Sequence, residues 1–64
     1  MRLPDATAIV SVVIPCLNEE DAIPAVVREV LAQGVDEVIV VDNGSTDATA
    51  ARAREAGARV VSSD

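Results

Sequence analysis

Two short polar stretches hold most of the side chains suited to chemistry. Pro15-Cys16-Leu17-Asn18-Glu19 and Asp42-Asn43-Gly44-Ser45 each follow a β-branched run and precede a segment of helical pattern. Carboxylates and an amide at such places suit hydrogen bonds from ribose hydroxyls or from the N–H edge of a nucleobase. A bare phosphate would be repelled by these acids unless a cation intervened. Gly-x-Gly-x-x-Gly, which lets backbone approach a pyrophosphate, is missing: Pro15 and Leu17 stand there, with no glycine before Gly34, and a P-loop is absent too. The stretches therefore favour the nucleoside end of a ligand. Cys16 is the one cysteine and histidine is absent, so no internal disulfide forms and no zinc ligand set exists. Cys16 reads as a small packing residue, with nothing in its neighbourhood to lower its pKa.

The flanking pattern supplies the elements that carry these stretches. Ile9-Val10-Ser11-Val12-Val13-Ile14 is nearly continuous in apolar character, as in a strand covered on both faces. Pro15 is expected to stop it, lacking an N–H for ladder pairing. Glu19, Glu20 and Asp21 suit the positive end of a following helix, and Pro24 fits its first turn. Ile23, Val26, Val27, Val30 and Leu31 form one apolar stripe at helical spacing, and Gly34 suits a left-handed cap. Val38–Val41 is a second strand, Ala48–Ala56 a second, alanine-rich helix ended by Gly57, and Arg59–Ser62 a shorter third strand. Met1–Ala8 reads as an irregular lead-in. The order β-α-β-α-β indicates a parallel α/β sheet, and ligands bind such sheets outside the carboxyl ends of the strands. Adjacent strands would bring Glu19 and Asp42 to one crevice.

Size and charge set limits. A chain of 64 residues and 6.6 kDa has room for one small domain or a part of a larger one. It is expected to bury only about 60% of its unfolded surface. With strand order 3-2-1 and right-handed crossovers, both helices fall on one face. The other face then shows about five branched side chains to water. Leaving them exposed forgoes about 7–15 kcal/mol at roughly 1.5–3 kcal/mol each, comparable to the whole stability of a domain. That face is expected to meet further chain or another subunit, and residues 1–64 read as the N-terminal part of a larger α/β domain. Eleven acids against five arginines, net charge −6, argue against nucleic acid and against a polybasic membrane patch. The apolar runs are too short to span a bilayer, no signal-peptide stretch is present, and a lone cysteine fits a cytoplasmic location.

Val12-Val13-Ile14-Pro15-Cys16-Leu17-Asn18-Glu19-Glu20, with Val40-Val41-Asp42-Asn43-Gly44-Ser45-Thr46-Asp47-Ala48-Thr49, resembles the N-terminal half-site of family 2 glycosyltransferases of the GT-A fold. The resemblance runs from about Val10 to Val61. The Asn-Glu-Glu form and Gly57-Ala58-Arg59-Val60-Val61 look most like polyprenyl-phosphate sugar transferases and glucosyl-phosphoglycerate synthase-like members. It implies a Rossmann-like domain and an inverting transfer of sugar from a UDP- or GDP-linked donor to a lipid phosphate or small hydroxylated acceptor. Carried over, Pro15 and Leu17 would line the base pocket, Glu19 would bond base or ribose, and Asp42 and Asn43 would hold the base edge. Asn18, Gly44 and Ser45 complete the implied nucleotide-binding set. Many members have Asp at Asn43 and an aromatic at Leu17; the amide leaves uracil or guanine open, and Leu17 removes a stacking partner. The family's Asp-x-Asp, where Mg or Mn stabilises the leaving diphosphate, does not occur in this sequence. Neither metal site nor catalytic base is expected here, and this stretch alone should not transfer sugar. A lipid-linked acceptor would place the protein at the inner face of the membrane.

Simpler roles stand beside these. Asn18 either braces the first helix or binds ligand. Glu20 and Asp21 read as solvated first-turn acids, and Ser45, Thr46 and Asp47 as capping residues. At the level of function, the rival is a non-catalytic module without nucleotide affinity that self-associates through its uncovered sheet face. A nucleotidyltransferase-like domain is weaker still, since a phosphate-gripping loop is lacking.

Overall fold

The computed structural model describes residues 9–63, so the lead-in expected at Met1–Ala8 lies outside the described residues. The chain runs β1 (Ser11–Cys16), α1 (Ile23–Ala32), β2 (Glu37–Asp42), α2 (Thr49–Ala56) and β3 (Arg59–Ser62). The three strands are parallel in the order β1-β2-β3, the 3-2-1 arrangement expected of right-handed βαβ units. Register pairs Ile14 with Val40, Val40 with Val60, and Cys16 with Asp42.

Register partners share a face, so one face carries Val12, Ile14 and Cys16 beside Val38, Val40 and Asp42, with Val60 next to Val40. This face is the one the helices cover. Ile23 and Val27 of α1 and Ala53 of α2 are buried with Val38, Val40, Cys16 and Ala58 in the core. Val30 and Leu31 pack at its margin, whereas Val26 turns outward at the edge of the stripe. Small side chains let α2 approach closely, and Thr49 and Ala53 are fully buried. The opposite face carries Val13, Ile39, Val41 and Val61, with Val13 59% exposed. One uncovered apolar face is thus present, as the crossover argument requires.

Pro15 does not stop β1. The strand continues through it to Cys16, with Pro15 opposite Val41. The carbonyls of Val10 and Cys16 accept N–H groups of the β2 side, from Asp36, Glu37 and Asn43. Alternation then turns the peptide groups of the odd residues, Pro15 included, toward the other edge. The missing N–H costs no ladder bond to β2.

α2 closes with Gly57 at φ +112°, where Ala58 N–H donates to Ala53 O and Gly57 N–H to Arg54 O. This paired closure needs a left-handed residue. A Cβ at Gly57 would stand 3.1 Å from Leu31 Cδ1, so glycine also lets the two helices approach.

Candidate functional site

The loops after β1 and β2 lie side by side because β1 and β2 are adjacent and end in register at Cys16 and Asp42. Asn43 N–H donates to Cys16 O at 2.9 Å, carrying the pairing one residue past the strands. Asn18 adopts φ +51°, a left-handed turn that asparagine tolerates better than most residues. That turn aims three successive backbone N–H groups at the second loop. Asn18 N–H donates to Ser45 Oγ at 2.9 Å, Glu19 N–H to Thr49 Oγ1 at 2.8 Å, and Glu20 N–H to Asp47 Oδ2 at 3.3 Å.

The second loop answers in kind. Thr46 N–H donates to Asn18 Oδ1 at 2.9 Å, with the Thr46 hydroxyl on the same oxygen at 3.4 Å, and Ala48 N–H donates to Glu20 Oε2 at 3.2 Å. Asn18 and Glu20 therefore spend side-chain oxygens on the neighbouring loop. The Glu19 side chain, lying between them in sequence, makes no hydrogen bond among the described residues and is exposed.

Asp42 is the buried acid of the rim, 8% exposed. Its Oδ1 accepts Ser45 N–H at 2.9 Å. The hydroxyl and N–H of Ser45 hold its carboxyl below the usual range, helped by Arg54, against burial and the repulsion of Asp47. Asp47 is held low chiefly by the Thr49 hydroxyl, with the N–H groups of Thr49 and Glu20 also favouring the charged form. Cys16 moves the other way: burial, then the carboxylates of Glu19 and Asp42, push its thiol up. It stays protonated and packs, consistent with the sequence reading. Both acids acting on one thiol also places Glu19 and Asp42 at the same end of the sheet.

These shifts have a sign. Asp42 and Asp47 are depressed in the folded chain relative to about 3.9 when unfolded. Their stabilising contribution is complete above that value and is lost as pH falls through the lower, folded values. Carboxyl 13C titration should place both midpoints below the ordinary aspartate value, with faster amide exchange at Ser45 and Thr49 after protonation. A midpoint at or above the ordinary value would contradict the hydrogen bonds described.

All eight residues singled out from the sequence stand on or beside this rim. Pro15, Leu17, Asn18, Glu19, Asn43 and Gly44 are exposed, Ser45 is half-buried and Asp42 is buried. Leu17, 53% exposed, offers an apolar side chain beside the polar groups. The assignment of Glu20 as a solvated first-turn acid is corrected: it precedes α1, is half-buried, and serves the start of α2. The N-cap position of α2 is Ala48, not one of the expected capping residues; Asp47 stands one residue before it and accepts Thr49 N–H at 2.9 Å. Thr49 carried no assigned role. Its signal was a hydroxyl two residues after an aspartate at the head of an alanine-rich helix.

A divalent cation does not fit here. Among the described residues no three metal-binding side chains converge, and Glu20, Asp42 and Asp47 already accept backbone N–H bonds. No helix among the described residues is long and apolar enough to cross a membrane.

The sequence matches glycosyl transferase family 2 over residues 11–64. It is similar to glucosyl-3-phosphoglycerate synthase of Mycolicibacterium smegmatis, with 55% identity over 56 residues, 83% of this chain and 18% of the relative. An uncharacterized glycosyltransferase of Mycobacterium tuberculosis is 52% identical over 52 residues, covering 81% of this chain and 23% of the relative. Among solved structures, glucosyl-3-phosphoglycerate synthase of Mycobacterium tuberculosis in complex with Mg2+ and UDP superposes with a TM-score of 0.77 at 50% identity, over 89% of this chain and 21% of that one. The same enzyme with Mn2+, UDP-glucose and phosphoglyceric acid gives a TM-score of 0.77 at 50% identity, with the same coverage of 89% and 21%. The chain thus spans less than a quarter of the length of these relatives. The GT-A architecture expected from the motifs is supported by these neighbours. The narrower likeness to polyprenyl-phosphate sugar transferases is not, and the relatives lend no support to a lipid-linked acceptor or to self-association.

Proposed function

Because the chain belongs to glycosyl transferase family 2, we propose that its two clasped loops grip the nucleoside of a UDP-linked sugar, which the intact enzyme transfers to a small phosphorylated acceptor. The observation that carries this reading is the convergence of Glu19, Asp42 and Asn43 at the carboxyl ends of two adjacent parallel strands. Glu19 and Asp42 accept from ribose hydroxyls or the base edge, and Asn43 donates or accepts at that edge. Pro15 and Leu17 lie against the base. Asn18, Gly44 and Ser45 shape the loop that receives it. Uridine is preferred over guanosine on the strength of relatives solved with UDP and UDP-glucose. A phosphoglycerate is the acceptor class by the same support, in place of a lipid phosphate.

In this reading residues 1–64 are part of one GT-A domain working in the cytoplasm, with the cation site and the chemistry at the diphosphate carried by regions the chain does not match. The test is donor and acceptor choice in the intact enzyme with Mg2+ or Mn2+. UDP release from UDP-glucose that depends on 3-phosphoglycerate is the expected result. Preference for GDP-glucose would overturn the base assignment, and transfer to polyprenyl phosphate alone would overturn the acceptor.

A further inference from the structure

The loop after β2 leaves one of its peptide groups without a partner. Asn43 N–H donates to Cys16 O, Ser45 N–H to Asp42 Oδ1 and Thr46 N–H to Asn18 Oδ1, each at 2.9 Å. Gly44 N–H, between them, makes no hydrogen bond among the described residues, and neither does the side-chain amide of Asn43. Both residues are exposed, and Gly44 stands at φ +89° with nothing within 4 Å of the place a Cβ would take. A side-chain carbonyl carbon, a following backbone nitrogen that no Cβ shields, and access for water therefore meet at one point. Asn18, the one other asparagine, is the contrast. Its Oδ1 accepts from Thr46, and the nitrogen that follows it, that of Glu19, donates to Thr49 Oγ1 at 2.8 Å.

We propose that Asn43-Gly44 is a site of spontaneous covalent modification: deamidation through a succinimide. Solvent base takes the proton of Gly44 N, which attacks Cγ of Asn43. The N–Cγ bond forms, the Cγ–Nδ2 bond breaks, and Nδ2 leaves as ammonia. Water then opens the five-membered ring. Addition at Cγ gives aspartate; addition at the backbone carbonyl gives isoaspartate, with the chain rerouted through Cγ. Water is consumed and ammonia released, and nothing is oxidised or reduced. Either product sets a carboxylate where an amide stood, on a rim that already carries Glu19 and Asp42. Isoaspartate also lengthens the backbone between Asp42 and Ser45 by one carbon. A consequence for the donor rests on the nucleoside-grip reading above. Conversion then removes the donor that Asn43 offers to the base edge, and a bound nucleoside covers the amide and slows the conversion.

The experiment is incubation of the intact enzyme for days at mildly alkaline pH, with and without saturating UDP, followed by peptide mass mapping and isoaspartyl methyltransferase labelling. Without UDP, Asn43 of the folded enzyme should gain the mass of amide-to-acid conversion and take the label, while Asn18 stays intact. Asn43→Gln should lose the label, since its longer side chain cannot close the five-membered ring. An Asn43 amide that stays intact in the folded enzyme would overturn the proposal, and its conversion only in urea would show that the loop protects it. Conversion of Asn18 at the same rate would overturn it too. The UDP arm tests the nucleoside reading separately. Slower conversion with UDP, and weaker UDP binding by the converted enzyme, support both. Conversion at Asn43 that ignores UDP, with UDP affinity unchanged, leaves the modification standing and removes Asn43 from the nucleoside site.

Discussion

Val40→Asp is expected to abolish the folded state. Val40 is fully buried at the middle of the central strand, between Ile14 and Val60 in register and beneath the core residues of both helices. An aspartate there meets apolar side chains on its own face, while the neighbouring peptide groups are committed to the sheet. Burying a carboxylate without a partner costs several kcal/mol even when it protonates. A small α/β unit with one uncovered sheet face has little stability in reserve. Far-UV circular dichroism should show loss of helix and strand signal, with no cooperative melt. A normal melting curve would mean that the second strand does not run through the core as described.

The same strand shows why most of the fold was legible. Val38, Val40 and Asp42 alternate with Ile39 and Val41, and the helical stripe from Ile23 to Leu31 has one strongly apolar side. Both periods are local properties of the sequence, and Gly34 and Gly57 mark the helix ends by their own conformational freedom. Pro15 was misread because a proline ends a strand only when its missing N–H faces a partner. Which way that peptide group points depends on the register with β2, and register is not a local property. The site divides in the same way. Polar loops after parallel strands, with Glu19 and Asp42 at one rim, follow from topology alone. The role of Glu20 does not, since a first-turn rule considers only the helix that follows it in sequence. Its partner, Ala48, lies across the gap and is reached only because Asn18 takes a left-handed turn and aligns the two loops.

Asp42→Ala should weaken donor binding more than any other single change at the rim, by about tenfold or more if the carboxylate makes a charge-assisted bond to ribose or base. The alanine variant loses two things together. It removes the proposed contact with the nucleoside, and it frees the N–H of Ser45, which anchors the loop on the carboxylate. Asp42→Asn separates them, because its amide oxygen can still accept Ser45 N–H while the charge is gone. If charge on the donor contact dominates, the asparagine variant should bind UDP nearly as weakly as alanine. If the loop anchor dominates, asparagine should restore most of the affinity. Calorimetric titration of the intact enzyme with UDP reads both. Native affinity in both variants would remove Asp42 from the site, leaving the buried acid of β2 with no role beyond holding Ser45. The acceptor KM is the internal control: it should not move in either variant, since the nucleoside end of the donor is where this rim is placed to act.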